Sequence, residues 1–384
     1  TKDLWLVAAG FRAAMHIGKL PPTVPILQAE LGISLVQAGF LLSLVQAAGM
    51  SLALLLGSYT AKIGLKRCVL LGLSLLAGAS FVGGFVHSFS ALLSLRVIEG
   101  FGFLLITLSG PAFIRQLVAV EQLPAKMGLW SAYMGGGMGI GLLSTPFLLT
   151  ILDWQGVWMC FGLLSFALAI IIYKAVPSVQ ISTQAIAIFE LIKSTLSHPP
   201  AWILALVFGV YAGQWFSLVG FLPTIYQQYQ ISLQTAGVLI AMVAMANAVG
   251  TFVCGLLLQR GLRAQVLMQM GFAVLMLCAL SFYILRDVLP FIVQFLLVIH
   301  FSLFGGLVAA VVFAQVLNFA PQPIAISTTV GLVLQCSAIS QFLLPPVVAA
   351  IVSATGTWLW VGILMAVLSA MGMILTSILF RKVA

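Results

Sequence analysis

Three basic side chains, Arg12, His16 and Lys19, lie four and three residues apart within the apolar segment LWLVAAGFRAAMHIGKL. This spacing places all three on one face of a helix, in a row about 10 Å long. A guanidinium and an ammonium bind anions, and an imidazole exchanges protons near neutral pH. The row therefore predicts a site for an anion, a proton or both.

Only 6% of the 384 residues are charged, so the row lies in an apolar setting, where placing a charge costs free energy. An Arg or Lys at the centre of a lipid-facing helix costs about 2.5–3.5 kcal/mol, so two would cost about 5–7 kcal/mol. The row must therefore face water, protein groups or an anionic ligand. An alternative is that Lys19 reaches the outer headgroups, since prolines follow it, while Arg12 pairs with Glu99.

The elements that hold these residues are predicted to be membrane-spanning helices. The chain is 62% hydrophobic, and apolar stretches of about 20 residues suffice to cross a bilayer. The first of them runs into charged residues and prolines, so we expect no cleavable signal peptide. The sequence predicts an all-α polytopic membrane protein with twelve spans, at about 4–27, 35–59, 68–88, 90–114, 127–151, 155–175, 201–226, 234–258, 265–285, 288–315, 324–352 and 356–380.

The two sets of six spans repeat each other, on either side of the longest polar interruption. Pairs of residues match at shifts of 198 to 200: Ile33-Ser34 with Ile231-Ser232, Gly57 with Gly255, Pro146 with Pro346, and Trp158 with Trp358. Parallel halves that face each other across a central site are typical of alternating-access transporters. The predicted organisation is a first half at 1–175, a cytoplasmic central linker at 176–200 and a second half at 201–384.

Basic residues are distributed unevenly between the two sides of the predicted membrane. The positive-inside rule then places both termini in the cytoplasm, and the net charge of +9 needs no nucleic acid partner. The five cysteines lie in apolar segments without a metal-binding spacing and are expected to be packing residues. Twelve of the 16 Lys and Arg residues fall on one side: Lys2, Lys62, Lys66, Arg67, Arg115, Lys126, Lys174, Lys193, Arg260, Arg263, Arg381 and Lys382.

The loop GSYTAKIGLKR, between the second and third spans, resembles the signature of the major facilitator superfamily, with Ala61 in place of its acid. The segment RVIEGFG in the fourth span is similar to another pattern of that family, and KMGLWSAYMGGGMGIGLLSTPFL resembles its cyanate-transporter-type members. The resemblance implies twelve transmembrane helices in two six-helix halves related by a pseudo-two-fold axis, with spans 1, 4, 7 and 10 around a central cavity. It also implies a gating loop on the cytoplasmic side: Gly57, Lys62, Gly64, Lys66 and Arg67.

On this fold, the substrate-binding residues are expected on both halves, with the cations on one of them. At a shift of 201, the positions that match Arg12, His16 and Lys19 are Gly213, Ser217 and Gly220, so the fold does not require charge there. The pattern indicates a one-sided anion clamp. The residues predicted to bind substrate are Arg12, His16, Lys19, Tyr211, Gln214, Trp215 and His300.

Proton coupling is assigned to Glu99, with His16 as the rival carrier and Arg96 as a partner. A structural ion pair between Arg96 and Glu99 is the alternative, as is a packing role for His300. Further polar residues within spans are expected either to orient a ligand or to bridge helices: Gln46, Tyr133, Asn247, Gln294, Gln315, Gln335 and Gln341.

Together these features predict a secondary transporter that moves a small organic or inorganic anion by alternating access, coupled to a proton. No nucleotide-binding loop, metal site or convergent catalytic group is visible, so we expect no cofactor and no enzymatic activity. The alternatives are a proton-coupled drug or metabolite exporter, suggested by the span GGGMGIGLLSTP, and a non-transporting receptor or scaffold, suggested by Ala61. The expected setting is the inner membrane, as a multi-pass monomer.

Overall fold

The computed structural model describes residues 2–33, 35–178 and 188–381, and these residues are almost entirely helical. Part of the predicted central linker, residues 179–187, lies outside the described residues. The α-helices are α1 (Lys2–Gly18), α2 (Val24–Leu31), α3 (Leu35–Ile63), α4 (Leu65–Gly83), α5 (Phe89–Leu117), α6 (Leu123–Ser131), α7 (Tyr133–Leu148), α8 (Trp154–Ala175), α9 (Ile188–Leu196), α10 (Pro199–Gln227), α11 (Leu233–Gln259), α12 (Ala264–Ile284), α13 (Phe291–Phe319), α14 (Ile326–Thr355) and α15 (Leu359–Arg381).

Helices account for the twelve predicted spans, although the first is divided between α1 and α2 and the fifth between α6 and α7. Nine helices in the described part of the chain are long and apolar enough to cross a membrane. The first span does not meet that measure because α1 has only 17 residues, and the fifth because its helix is interrupted at Ala132. The second span also does not meet the measure, because its apolar helical stretch, Leu44–Thr60, is shorter than the length required.

Local chemistry explains where several helices begin and end. The Asp153 side chain caps α8 by accepting from the backbone N–H of Gly156 at 2.6 Å, and Ser232 caps α11 in the same way through Thr235. Gly64, at φ 92°, makes the turn between α3 and α4, and Gly356, at φ 68°, ends α14.

The helices pack as two bundles that meet at a few crossings. In the first bundle α1 contacts α5, α7 and α8, and in the second α10 contacts α13, α14 and α15. The bundles meet where α3 lies against α14 and where α6 and α7 lie against α11. These crossings enclose a central space and determine which side chains can reach it.

Candidate substrate and coupling site

The rotation of α1 is set by its small residues, which pack against the glycine-rich helix α7. A Cβ on Gly141 would lie 2.7 Å from the carbonyl oxygen of Met15, so only glycine permits this approach. Gly10 and Gly18 of α1 are similarly crowded by α6 and α7. This packing turns the row of Arg12, His16 and Lys19 toward α5 and α8, inside the first bundle.

Lys19 lies fully inside the protein, at 0% exposure, so it does not reach the headgroups. Its Nζ donates to Oε1 of Glu99 at 2.6 Å and to Oγ of Ser80 at 2.7 Å, and lies 3.2 Å from Nδ1 of His16. The ammonium also lies 4.5 Å from the ring centroid of Trp158. The alternative of Lys19 as an interfacial anchor is therefore wrong.

Glu99 is paired with Lys19 and Arg96 rather than with Arg12. Nη1 of Arg96 donates to Oε2 of Glu99 at 2.5 Å and to the carbonyl oxygen of His16 at 3.0 Å. Nη2 of Arg96 is buried without a hydrogen-bond partner among the described atoms. The predicted ion pair between Arg96 and Glu99 is present, within a larger network.

Arg12 is held by α8. Its Nε donates to Oγ of Ser165 at 3.0 Å, its Nη2 donates to the carbonyl oxygen of Phe161, and its guanidinium lies 4.5 Å from the centroid of the Phe161 ring. Ser165 also contacts Nε2 of His16 at 2.8 Å and donates to the Phe161 carbonyl. Arg12 thus joins His16 through one hydroxyl group.

These residues form one buried polar network, which we call the charge cluster: Arg12, His16, Lys19, Ser80, Arg96, Glu99 and Ser165. It contains three strongly basic side chains and one carboxylate. Ser80 and Ser165 were not among the predicted site residues. At the shift of 200, Ser165 matches Met365, and this polar-for-apolar difference between the halves is the signal that could have identified it.

Among the described residues, the equivalent place in the second bundle buries no charged side chain. A cavity of about 10 Å³ between α10, α12, α13 and α15 is lined by nine residues, among them Phe282, Phe301 and Met365. Gly220, which matches Lys19, has no atom within 4 Å of where a Cβ would be. The same six-helix arrangement therefore packs with the charge cluster in the first half and without it in the second. This is evidence that the cluster has a role other than folding.

The central space between the bundles is a separate cavity of about 60 Å³. Among the described residues that line it, none is charged. Its wall is aromatic and amide-rich, with contributions from both bundles: Gln46, Phe103, Tyr133, Phe208, Tyr211, Trp215, Asn247, Phe313 and Gln341. The expectation that Arg12, His16 and Lys19 face this cavity is wrong for the described conformation.

The charge cluster and the cavity are neighbours along α3 and α5. Glu99 lies four residues before Phe103 of the cavity wall, which is about 6 Å along a helix axis. Nε of Arg96 donates to the carbonyl oxygen of Leu41 at 3.2 Å, four residues before Val45 of the same wall. A ligand in the cavity would thus lie about one helical turn from the cluster.

Hydrogen bonds hold the polar side chains of the cavity in place. Nδ2 of Asn247 donates to Oη of Tyr211 at 2.7 Å, and Nε1 of Trp215 donates to Oγ of Ser302 at 2.8 Å. Nε2 of Gln46 on α3 donates to Oε1 of Gln341 on α14 at 3.0 Å, which bridges the two bundles. Tyr211 and Trp215 were predicted for the site and do line the cavity.

Two other predicted substrate-binding residues lie elsewhere. His300 is exposed on α13, where its Nδ1 lies 2.7 Å from the carbonyl oxygen of Leu296 on the same helix. Gln214 is buried within the second bundle and accepts from the hydroxyl of Ser369 at 3.0 Å. Both point away from the cavity because neighbouring positions on a helix differ by about 100° in direction.

The predicted gating loop, between α3 and α4, makes contacts at the end of the molecule away from the charge cluster. A Cβ on Gly57 would lie 2.5 Å from the carbonyl oxygen of Ser327, so α3 and α14 cross closely here. Nζ of Lys66 donates to the carbonyl oxygens of Tyr173 and Val176 at 2.8 and 2.5 Å, and thereby caps the end of α8. Lys62 and Arg67 are exposed.

Comparison with known proteins identifies the family of this architecture. The model of the Major Facilitator Superfamily matches residues 4–345. The chain belongs to the Major Facilitator Superfamily. The solved structure of the transporter FucP of this superfamily, in the outward conformation, has a TM-score of 0.75 over 98% of both chains at 13% identity. The expected fold is thereby confirmed, and the chain is a multi-pass membrane transporter.

Two relatives of known name are similar in sequence. The cyanate transport protein CynX of Escherichia coli is 26% identical over 268 residues, which cover 69% of this chain and 68% of CynX. The chloramphenicol resistance protein CraA of Acinetobacter baumannii is 26% identical over 180 residues, 45% of this chain and 42% of CraA. The resemblance to cyanate-transporter-type members therefore extends well beyond the one segment that indicated it.

Proposed function

We propose that this superfamily member is a secondary active transporter that moves a small organic or inorganic anion by alternating access, coupled to a proton. The observation that carries the proposal is the positive excess of the charge cluster, in which three strongly basic side chains (Arg12, Lys19 and Arg96) share one network with a single carboxylate, Glu99. Uncompensated charge is costly in a low-dielectric interior, so an anion in the adjacent cavity is favoured. The similarity to a cyanate transport protein supports the same substrate class.

The cavity complements the cluster chemically. Its amide and hydroxyl groups can donate hydrogen bonds to an anion, and its aromatic rings can enclose an apolar body. The cluster contributes the long-range attraction. This division of roles is compatible with anions that range from cyanate to a small aromatic carboxylate.

Counterflow in proteoliposomes tests the proposal, with labelled cyanate, formate and benzoate as substrates. We expect saturable exchange of at least one of them. Arg12→Gln should weaken its affinity about tenfold, because it removes one of the three cations whose excess over the single carboxylate favours an anion. Arg263→Gln, which removes an exposed and solvent-screened charge, should leave affinity unchanged. Absence of exchange with every anion would contradict the proposal.

A second candidate function is export of an uncharged aromatic compound. The uncharged aromatic cavity wall favours it, and so does the similarity to a chloramphenicol resistance protein. In the same proteoliposomes, exchange of labelled chloramphenicol without exchange of any anion would support this candidate over the first.

We further propose that the chain is a monomer in the inner membrane. Its basic loops support a location of both termini in the cytoplasm. Reporter fusions that are active only in the cytoplasm test this orientation. A fusion after the last helix that is inactive would contradict it.

A further inference from the structure

The hydrogen atoms of the charge cluster can be assigned from its contacts. An ammonium group has three donors, and Lys19 has three neighbours: Glu99, Ser80 and His16. The Ser80 hydroxyl donates to the carbonyl oxygen of Trp158 at 2.8 Å, so it accepts from Lys19. When the third ammonium hydrogen is directed at Nδ1 of His16, that nitrogen accepts, and His16 is a neutral imidazole with its hydrogen on Nε2.

The other side of His16 agrees with this assignment. Ser165 donates to the carbonyl oxygen of Phe161 and accepts from Nε of Arg12. Its hydroxyl oxygen is therefore an acceptor for the hydrogen on Nε2 of His16, at 2.8 Å. With this assignment, every polar hydrogen around His16 has an acceptor.

A second proton on His16 is incompatible with this arrangement. It would lie on Nδ1, which is 3.2 Å from the ammonium nitrogen of Lys19. Nδ1 is also 3.2 Å from Oε1 of Glu99, the same oxygen that Lys19 contacts at 2.6 Å. A protonated His16 would therefore be a second cation 3.2 Å from the Lys19 ammonium, beside one carboxylate oxygen.

The further charged groups near His16 are basic except for Glu99 on α5: Arg12 lies on its own helix and Arg96 on α5. The groups on the other helices are uncharged or more distant: α4 contributes Ser80 and α8 contributes Ser165, while Cys160 of α8 lies near Arg12 and Tyr133 of α7 packs at Gly10. Glu99 is the single acid of the cluster. A proton at Nδ1 becomes more favourable when an anion draws the Lys19 ammonium away from it.

We propose that His16 carries the transported proton and that it binds this proton only when Lys19 turns from Glu99 to the substrate anion. This inference rests on the proposed function. Lys19 keeps its own proton and pairs with the anion, and a proton from solution binds Nδ1 of His16, which then pairs with Glu99. One proton accompanies one monovalent anion, so net transport is electroneutral.

Flux measurements in proteoliposomes test this, with cyanate and benzoate as probes. Wild-type uptake should be driven by a pH gradient, should carry about one proton per anion, and should be insensitive to membrane potential. His16→Gln should keep anion counterflow but lose proton movement, and its net uptake should become driven by an inside-positive potential. His87→Gln, in the exposed loop after α4, should match the wild type.

Proton movement that persists in His16→Gln would overturn the inference and leave the proposed function intact. Absence of anion counterflow in the wild type would overturn both. If His16→Gln does not fold, a measurement on the wild type tests the inference instead. Titration calorimetry with benzoate or cyanate in buffers of different ionisation enthalpy should show uptake of about one proton per bound anion, and no uptake would contradict the inference.

Discussion

At the scale of single residues, Ser165 is the point where Arg12 and His16 meet. Its hydroxyl accepts from both and donates to the backbone of its own helix. Loss of this oxygen would leave two buried donors without an acceptor, one of them charged. Unmade hydrogen bonds of this kind cost more than the bond itself contributes when formed.

Ser165→Ala is therefore expected to lower the free energy of unfolding by about 2 kcal/mol or more, since each unsatisfied buried donor costs about 1–3 kcal/mol. Reversible unfolding in mixed detergent micelles measures this. The matched control is Thr107→Val on α5, whose hydroxyl bonds only to carbonyl oxygens of its own helix. Equal losses in the two variants would contradict the assigned role of Ser165.

Sequence reasoning found most of the cluster but not its orientation. The spacing of Arg12, His16 and Lys19 correctly places them on one face, and their cost in lipid correctly requires polar partners. Which way that face points depends on glycine contacts between α1 and α7, and these cannot be read from either helix alone. The neutral partners Ser80 and Ser165 carry no charge pattern, so only the comparison of the two halves could have revealed Ser165.

At the scale of helices, close backbone crossings join the two bundles at the end that carries the basic loops. A Cβ on Gly255 of α11 would lie 2.7 Å from Cα of Gly128 on α6. Gly57 and Ser327 form a similar crossing between α3 and α14. Small residues at such crossings allow van der Waals contact between backbones in the membrane. The described closure of this end thus uses neutral contacts, in agreement with Ala61 in place of the signature acid.

Gly255→Ala is expected to separate the bundles at this end, because the new methyl group would meet backbone atoms that cannot move aside. The reporter is a cysteine at Thr328, buried at the other crossing, in a background without native cysteines. Its labelling by a membrane-permeant maleimide should become several-fold faster. Gly78→Ala, at a helical position with no atom within 4 Å of a Cβ, should not change the rate. Unchanged labelling in Gly255→Ala would contradict this account.

At the scale of the whole molecule, we propose that residues 1–175 and 201–384 move as two bodies about the central cavity. The sequence predicted this division from the repeat of rare residue types, because a duplicated fold keeps its turn and packing residues. The relative position of the halves depends on contacts between residues far apart in the chain, which local patterns do not specify. The Gln46–Gln341 bridge is one such contact.

A disulfide across the halves tests this motion. A Cβ on Gly49 of α3 would lie 3.2 Å from Cβ of Ala338 on α14, close to the separation of about 3.5–4.5 Å in disulfides. Oxidised Gly49→Cys/Ala338→Cys is expected to lose at least nine-tenths of net transport, and reduction should restore it. Each single variant should transport under both conditions. Full transport by the cross-linked protein would show that this crossing does not open.

The buried charge cluster also has a consequence for how the chain enters the membrane. The ribosome makes Lys19 80 residues before Glu99, and His16 149 residues before Ser165. During that interval the first helix has cations but none of the partners that neutralise them, so it is unstable in lipid by itself. Stable burial of this helix in the membrane therefore depends on the later synthesis of α5 and α8, which carry those partners.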